Sequence, residues 1–157
     1  MSTHELADDP LSLERQVCFA LSIASRNVIA LYRPLLEPMR LTHPQYLVML
    51  ALWERAPRSV KDLSVALHAE PATLSPLLKR LEAVGYLTRK RNSADERSLA
   101  VDLTARGQEL RSEAEKIPHR IVARLGMEFS ELEQLNSVLT RVIAATQRTD
   151  LDSALPE

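Results

Sequence analysis

Cys18 is the one thiol of this 157-residue chain, and a thiolate reacts with peroxides to give a sulfenic acid. With no second cysteine, that sulfenic acid proceeds to a mixed disulfide with a low-molecular-weight thiol, to a sulfenamide, or to over-oxidation. A single cysteine also excludes an internal disulfide framework and supplies too few ligands for a thiolate zinc site. The three glycines, at 85, 107 and 126, build neither a GxGxxG nor a GxxxxGK loop, so no phosphate cradle of those kinds forms. Neither a metal nor a cofactor is expected. By itself, a lone Cys on the apolar side of a helix reads as a small buried hydrophobe.

The second group is basic. From Lys79 to Arg97 there are six cations, Lys79, Arg80, Arg89, Lys90, Arg91 and Arg97, against Glu82, Asp95 and Glu96, a local balance of +3. The whole chain carries 20 Lys and Arg against 21 Asp and Glu, a net charge of -1. A uniformly basic nucleic-acid binder is therefore excluded and a local basic patch is not. Arg97 at the tip of a two-stranded wing suits entry into a minor groove, and Asp95 is placed to hold its guanidinium. An exposed Asp95–Arg97 pair also reads as an ordinary surface salt bridge.

Elements that position these groups follow from periodicity. Apolar residues at Val17, Ala20, Leu21, Ala24, Val28 and Leu31 predict a long amphipathic helix from Leu13, ended by Pro34 and Pro38. Thr42-His43-Pro44-Gln45 is a capping box opening a second helix through Trp53. Ser59 caps a short third helix ending near His68. Pro71 opens a fourth, with Leu74, Leu77, Leu78 and Leu81 inward and Gly85 as its stop. The third and fourth make a helix-turn-helix, whose outward face carries Thr73, Ser75, Pro76, Lys79 and Arg80. Small and hydroxyl groups near a helix N-terminus approach base edges, and cations one turn on reach phosphates. The same face also fits an ordinary solvated helix surface.

Leu99, Val101 and Leu103 alternate as a strand that pairs with Tyr86–Lys90 across the turn residues 92–95. Thr104 caps a helical run interrupted at Pro118, and Ser130-x-x-Glu133 reads as a second capping box before a periodic last helix. The expected fold is mainly α with a small β-hairpin, a winged helix-turn-helix with N- and C-terminal dimerisation helices. It forms one domain over 1–157, with a helical frame at about 11–40 and 105–148 and the winged helix-turn-helix at about 42–104. The excess apolar surface of the frame predicts a homodimer. No apolar run is long enough to span a membrane, and the acidic N-terminus does not look like a leader, so a cytoplasmic location is expected.

Gln16-Val17-Cys18-Phe19-Ala20-Leu21, Tyr32-Arg33-Pro34-Leu35-Leu36, Pro44-Gln45-Tyr46-Leu47 and Leu52-Trp53-Glu54 resemble the MarR family, in its organic-hydroperoxide-sensing branch. Thr73 to Glu82 and Asp95-Glu96-Arg97-Ser98 continue the resemblance, which spans about residues 14–145. It implies a homodimeric winged-helix repressor on a pseudo-palindromic double-stranded DNA operator, released when Cys18 is oxidised. It places Arg97 in the minor groove, braced by Asp95. It also implies that two partner-subunit tyrosines donate hydrogen bonds to the sensing thiol. Tyr32 matches the first, His43 stands at the second, and Ser22 stands where a further Tyr is common. Tyr32 and His43 are thus the expected donors to Cys18. A small aromatic or phenolic ligand with an inert Cys18 is the alternative for such a regulator. A thiol-dependent peroxidase is a remoter one, without an alternating βα pattern to support it.

Overall fold

The protein is described by a computed structural model over residues 9–13, 16–92 and 95–152, apart from the side chains of 92–98 and 149–152. The chain divides into two compact units, the first ending at Ile117 and the second starting at Pro118.

The first unit opens with α1 (Val17–Leu36), a long helix that begins at Val17 rather than Leu13. Pro34 does not end it. A proline removes its own N–H and presses its ring on the turn before it, and the residues after it stay helical to Leu36, where a 3₁₀ turn over Glu37–Met39 closes on Arg40 in the left-handed region. Helix α2 (His43–Glu54) starts as its sequence dictates. The Gln45 N–H donates to Thr42 Oγ1 at 3.4 Å, and the Thr42 N–H donates to Gln45 Oε1 at 3.0 Å. Half of its twelve residues are buried, including Val48, Met49 and Leu52, which makes α2 the central helix of this unit.

Strand β1 (Arg58–Ser59) leads into α3 (Val60–Leu67), capped by Ser59 Oγ, which accepts from the Asp62 N–H at 3.0 Å. Arg58 is nearly buried and donates to Asp62 at 2.8 Å and to the Ala51 carbonyl at 3.1 Å, pinning β1 to α2 and α3. After His68 in the left-handed region comes α4 (Pro71–Val84), which packs Leu74, Leu78 and Leu81 inward and leaves Leu77 half-buried. It runs unbroken through Pro76 and stops at Gly85, whose φ of 94° suits glycine.

Strands β2 (Leu87–Asn92) and β3 (Asp95–Leu103) are antiparallel, with Leu87 opposite Leu103 and Arg89 opposite Val101. The register shifts between Arg91 and Asn92, and residues 93 and 94 of the expected turn lie outside the described residues. Sequence reading missed β1, which pairs Arg58 with Val101 and Ser59 with Ala100 to give a three-stranded sheet in the order β1-β3-β2. Two residues carry no detectable alternation, so only the pairing reveals the strand.

Thr104 caps α5 (Ala105–Glu109) as expected, but the run breaks at Leu110 into α6 (Arg111–Ala114) and then α7 (Ile117–Leu125). Two contacts tie α5 to the base of the wing and a third ties it to α2. Thr104 Oγ1 donates to the Gly85 carbonyl at 2.6 Å, Arg106 donates to the Val84 carbonyl at 3.0 Å, and Trp53 Nε1 donates to the Gly107 carbonyl at 2.9 Å.

The second unit contains α8 (Phe129–Asp152), 24 residues long. Its start corrects the expected box, because Ser130 lies inside the helix and the Glu128 N–H donates to Glu131 at 2.8 Å. Phe129, Leu135, Val138, Val142 and Ile143 of α8 are exposed in the single chain, as are Val17, Phe19 and Ile29 of α1. Among the described residues no helix is long and apolar enough to cross a membrane.

Candidate nucleic-acid interface and thiol site

On α4 the burial of Leu74, Leu78 and Leu81 turns Thr73, Ser75, Pro76, Lys79 and Arg80 to the exposed side, all five expected residues on one helix. Thr73 sits in the first turn, where its N–H donates to the Glu70 carbonyl at 2.9 Å. Lys79 and Arg80 follow one to two turns later, which separates hydroxyl and small groups from cations along a single surface.

The wing continues this surface from the end of α4. Arg89 and Arg91 share one strand face with the buried Leu87, and Lys90 points to the other. Among the described residues, Lys79, Arg80, Lys90 and Arg91 form no ion pair and are exposed. Arg89 differs, because its guanidinium lies 3.1 Å from Glu82 of α4. Glu82 was counted in the sequence only as an opposing charge; a contact seven residues away across the Gly85 reversal leaves no periodic signal. The backbone of Asp95 and Arg97 belongs to β3, while their side chains, and with them the expected brace, lie outside the described residues.

Cys18 is exposed on the first turn of α1, not packed away as a lone cysteine on an apolar helix side first suggests. Tyr32 is fourteen residues further along the same helix, about 21 Å at 1.5 Å per residue. The thiol and its expected donors are therefore far apart within one chain.

The donors themselves are brought together. The Tyr32 and His43 rings meet edge to face with centroids 5.1 Å apart, and Tyr46 completes the cluster at 5.8 Å from Tyr32 and 6.4 Å from His43. Tyr46 was not assigned to the site from sequence, although its spacing of three from His43 puts both on one face of α2. Burial pushes the Tyr32 hydroxyl up from its ordinary value; burial and then the neighbouring Tyr32 do the same to Tyr46. Both remain neutral phenol donors at neutral pH.

Burial also pushes His43 down from 6.5, which favours the neutral imidazole at pH 7, a form with one ring N–H to donate and no positive charge. Stability should respond accordingly. Because the folded pKa lies below the unfolded value, the unfolded chain binds more protons as pH falls through about 6.5, and folding weakens there. The midpoint of chemical denaturation is thus expected to drop between pH 7.5 and pH 5.5, and to drop less in His43→Gln. An equal drop in the variant would show that burial of His43 carries none of it.

A cavity of about 380 Å³ adjoins the ring cluster, between the end of α1 and the start of α2, lined by Ile29, Arg33, Leu36, Glu37, Leu41, Thr42, His43 and Pro44. Among the described residues no cluster of three or more His, Cys, Asp or Glu has metal-binding geometry.

Residues 30–114 match the family model described as transcriptional regulator SarA/Rot. The organic hydroperoxide resistance transcriptional regulator of Bacillus subtilis is 41% identical over 131 residues, covering 83% of this chain and 89% of the relative. The structure resembles that of reduced AbfR bound to DNA, with a TM-score of 0.79 and 30% identity over 91% of this chain and 98% of that one. Overoxidized AbfR bound to DNA matches with a TM-score of 0.67 and 34% identity, covering 83% of this chain and 94% of that one. AbfR is a protein of Staphylococcus epidermidis.

Proposed function

The chain belongs to the SarA/Rot family of MarR-like transcriptional regulators, and from that premise we propose that it is a homodimeric repressor of a pseudo-palindromic operator, released when Cys18 is oxidised by an organic hydroperoxide or related oxidant. The observation that carries the DNA reading is the exposed face of α4, hydroxyl and small groups first and Lys79 and Arg80 after them, with Lys90 and Arg91 beside it on the wing. In this reading α4 enters the major groove, the wing reaches the minor groove through Arg97 braced by Asp95, and the cations engage phosphates.

The uncovered apolar side chains of α1 and α8 support the dimer, since a single chain leaves both helices with stripes in water. The thiol mechanism requires the same dimer. Cys18 lies too far from Tyr32, His43 and Tyr46 of its own chain, so a second copy brings its ring cluster to the thiol. The thiolate sulfur attacks one peroxide oxygen, the O–O bond breaks, and the alcohol leaves. Sulfur is oxidised by two electrons to the sulfenic acid as the peroxide is reduced. A low-molecular-weight thiol then condenses with it, releasing water and leaving a mixed disulfide. That bulk alters the spacing of the two reading heads, on which binding to both half-sites depends.

The cavity beside His43 favours a second reading, in which a small aromatic or phenolic ligand fills it and Cys18 stays inert. The test is binding of the full-length protein to a duplex from upstream of its own gene, before and after cumene hydroperoxide and again after dithiothreitol. Loss on oxidation with recovery on reduction supports the sensor. Binding that ignores the peroxide and responds to a phenol supports the second reading.

A further inference from the structure

We infer that Glu82 fixes the angle between the wing and α4 by holding Arg89, which makes Arg89 a positioning residue and not a phosphate contact. The inference rests on the DNA-binding reading above. Three hydrogen bonds join the pair. The Arg89 backbone N–H donates to Glu82 Oε2 at 3.1 Å, Nη2 donates to Oε1 at 3.1 Å, and Nε donates to Oε2 at 3.4 Å.

Their placement gives the pair its role. Glu82 stands in the last turn of α4 and Arg89 on β2, with the chain reversing between them at Gly85. The base of the wing is already tethered, through Thr104 to the Gly85 carbonyl and Arg106 to the Val84 carbonyl. Further up, β1 holds the β3 side of the sheet at Val101 and Ala100, which leaves the β2 side to be fixed to α4 by its own contact. Arg89 lies two residues beyond Leu87, about 7 Å further up the strand, and its link to Glu82 ties the β2 edge to α4 at the level where β1 holds β3.

Charge points the same way. Hydrogen bonds from Arg89 and its guanidinium charge hold the Glu82 carboxyl below the usual carboxylate range, so the pair is ionised and internally neutralised at neutral pH. The Arg89 side chain is only 23% exposed, whereas Arg91 on the same strand face is exposed and forms no ion pair among the described residues. The Glu82–Arg89 pair adds no net charge to the DNA-facing surface, whereas Arg91 adds one cation that can displace a counterion.

Anisotropy of the full-length protein with a labelled duplex from upstream of its own gene, and with a scrambled duplex of equal length, separates these roles across about 50 to 200 mM salt. Glu82→Gln and Arg89→Gln should each weaken the upstream complex about tenfold, because a geometric hydrogen-bonded link is lost. Arg89→Gln should leave the scrambled complex within about twofold and the salt slope unchanged, whereas Glu82→Gln frees the guanidinium and should raise the slope by up to about 0.9. Arg89→Lys keeps the charge but not the fork, and should lose discrimination like Arg89→Gln. Arg91→Gln should instead weaken both complexes and lower the slope by about 0.9.

Glu82 is partly exposed and Gln is nearly isosteric, so circular dichroism melts should stay close to wild type. Wild-type discrimination in Glu82→Gln overturns the inference, as does a slope lowered in Arg89→Gln and restored in Arg89→Lys. Failure of the wild type to prefer either duplex would instead overturn the DNA-binding reading itself.

Discussion

Cys18→Ser is expected to bind its operator with near wild-type affinity and to keep that affinity after an organic hydroperoxide, while the wild type loses about 100-fold under the same treatment, the upper part of the range for coupling between two sites. A serine hydroxyl is not oxidised by peroxide and has no sulfenic acid to form, yet it fills nearly the same volume at an exposed position. The substitution therefore removes the chemistry and leaves the reading head untouched. Binding before oxidation isolates the structural effect, and binding afterwards isolates the redox effect. Wild-type release that persists in Cys18→Ser would move the sensor away from the thiol and toward the cavity beside His43. Tyr32→Phe supplies a second arm. It keeps the ring packing against His43 and Tyr46 but removes one phenol donor, and is expected to slow oxidation of Cys18 without changing affinity in reducing buffer.

Gly107→Ala should be clearly more destabilising than Gly126→Ala. A Cβ built at Gly107 would stand 2.0 Å from the Tyr86 carbonyl oxygen, a backbone atom that cannot rotate away. Relief requires the α5 segment to move off β2, and that movement strains three links at once. These are Trp53 Nε1 to the Gly107 carbonyl, the Thr104 N–H to the Tyr86 carbonyl, and Thr104 Oγ1 to the Gly85 carbonyl. A cost of about 3 kcal/mol or more is expected, which for a chain of this size lowers Tm by about 10 °C. Gly126→Ala is the control. Its φ of +64° is left-handed but no atom lies within 4 Å of the added methyl, so only the backbone cost of about 1 to 2 kcal/mol applies. Differential scanning calorimetry of the two variants at equal concentration checks the ordering; a Gly107→Ala melt at or above that of Gly126→Ala would show that the α5 junction relaxes freely.

Much of the fold was legible because its signals are local. Thr42, Ser59 and Thr104 cap the helices they precede through hydrogen bonds spanning three residues. Leu74, Leu78 and Leu81 bury one stripe of α4, and this alone dictates that Thr73, Ser75, Lys79 and Arg80 face out. Pro34 misled by two residues, because its missing N–H and its ring act on the turn before it and the chain stays helical to Leu36. The Ser130 box misled because a matching pattern two residues earlier, Glu128 with Glu131, satisfied the helix start first.

The sequence by itself determined most of the helices, the caps at Thr42, Ser59 and Thr104, the pairing of β2 with β3 and the outward residues of α4, since each depends on neighbours within about one turn or one strand pair. Only the tertiary structure decided which distant groups meet. It placed Glu82 on Arg89, closed the rings of Tyr32, His43 and Tyr46 into one cluster, added β1 to the sheet, and set Gly107 against Tyr86. The physical reason is common to all of these. Spacing along the chain encodes which face a residue occupies, whereas what that face touches depends on packing between elements, and periodicity carries no record of that.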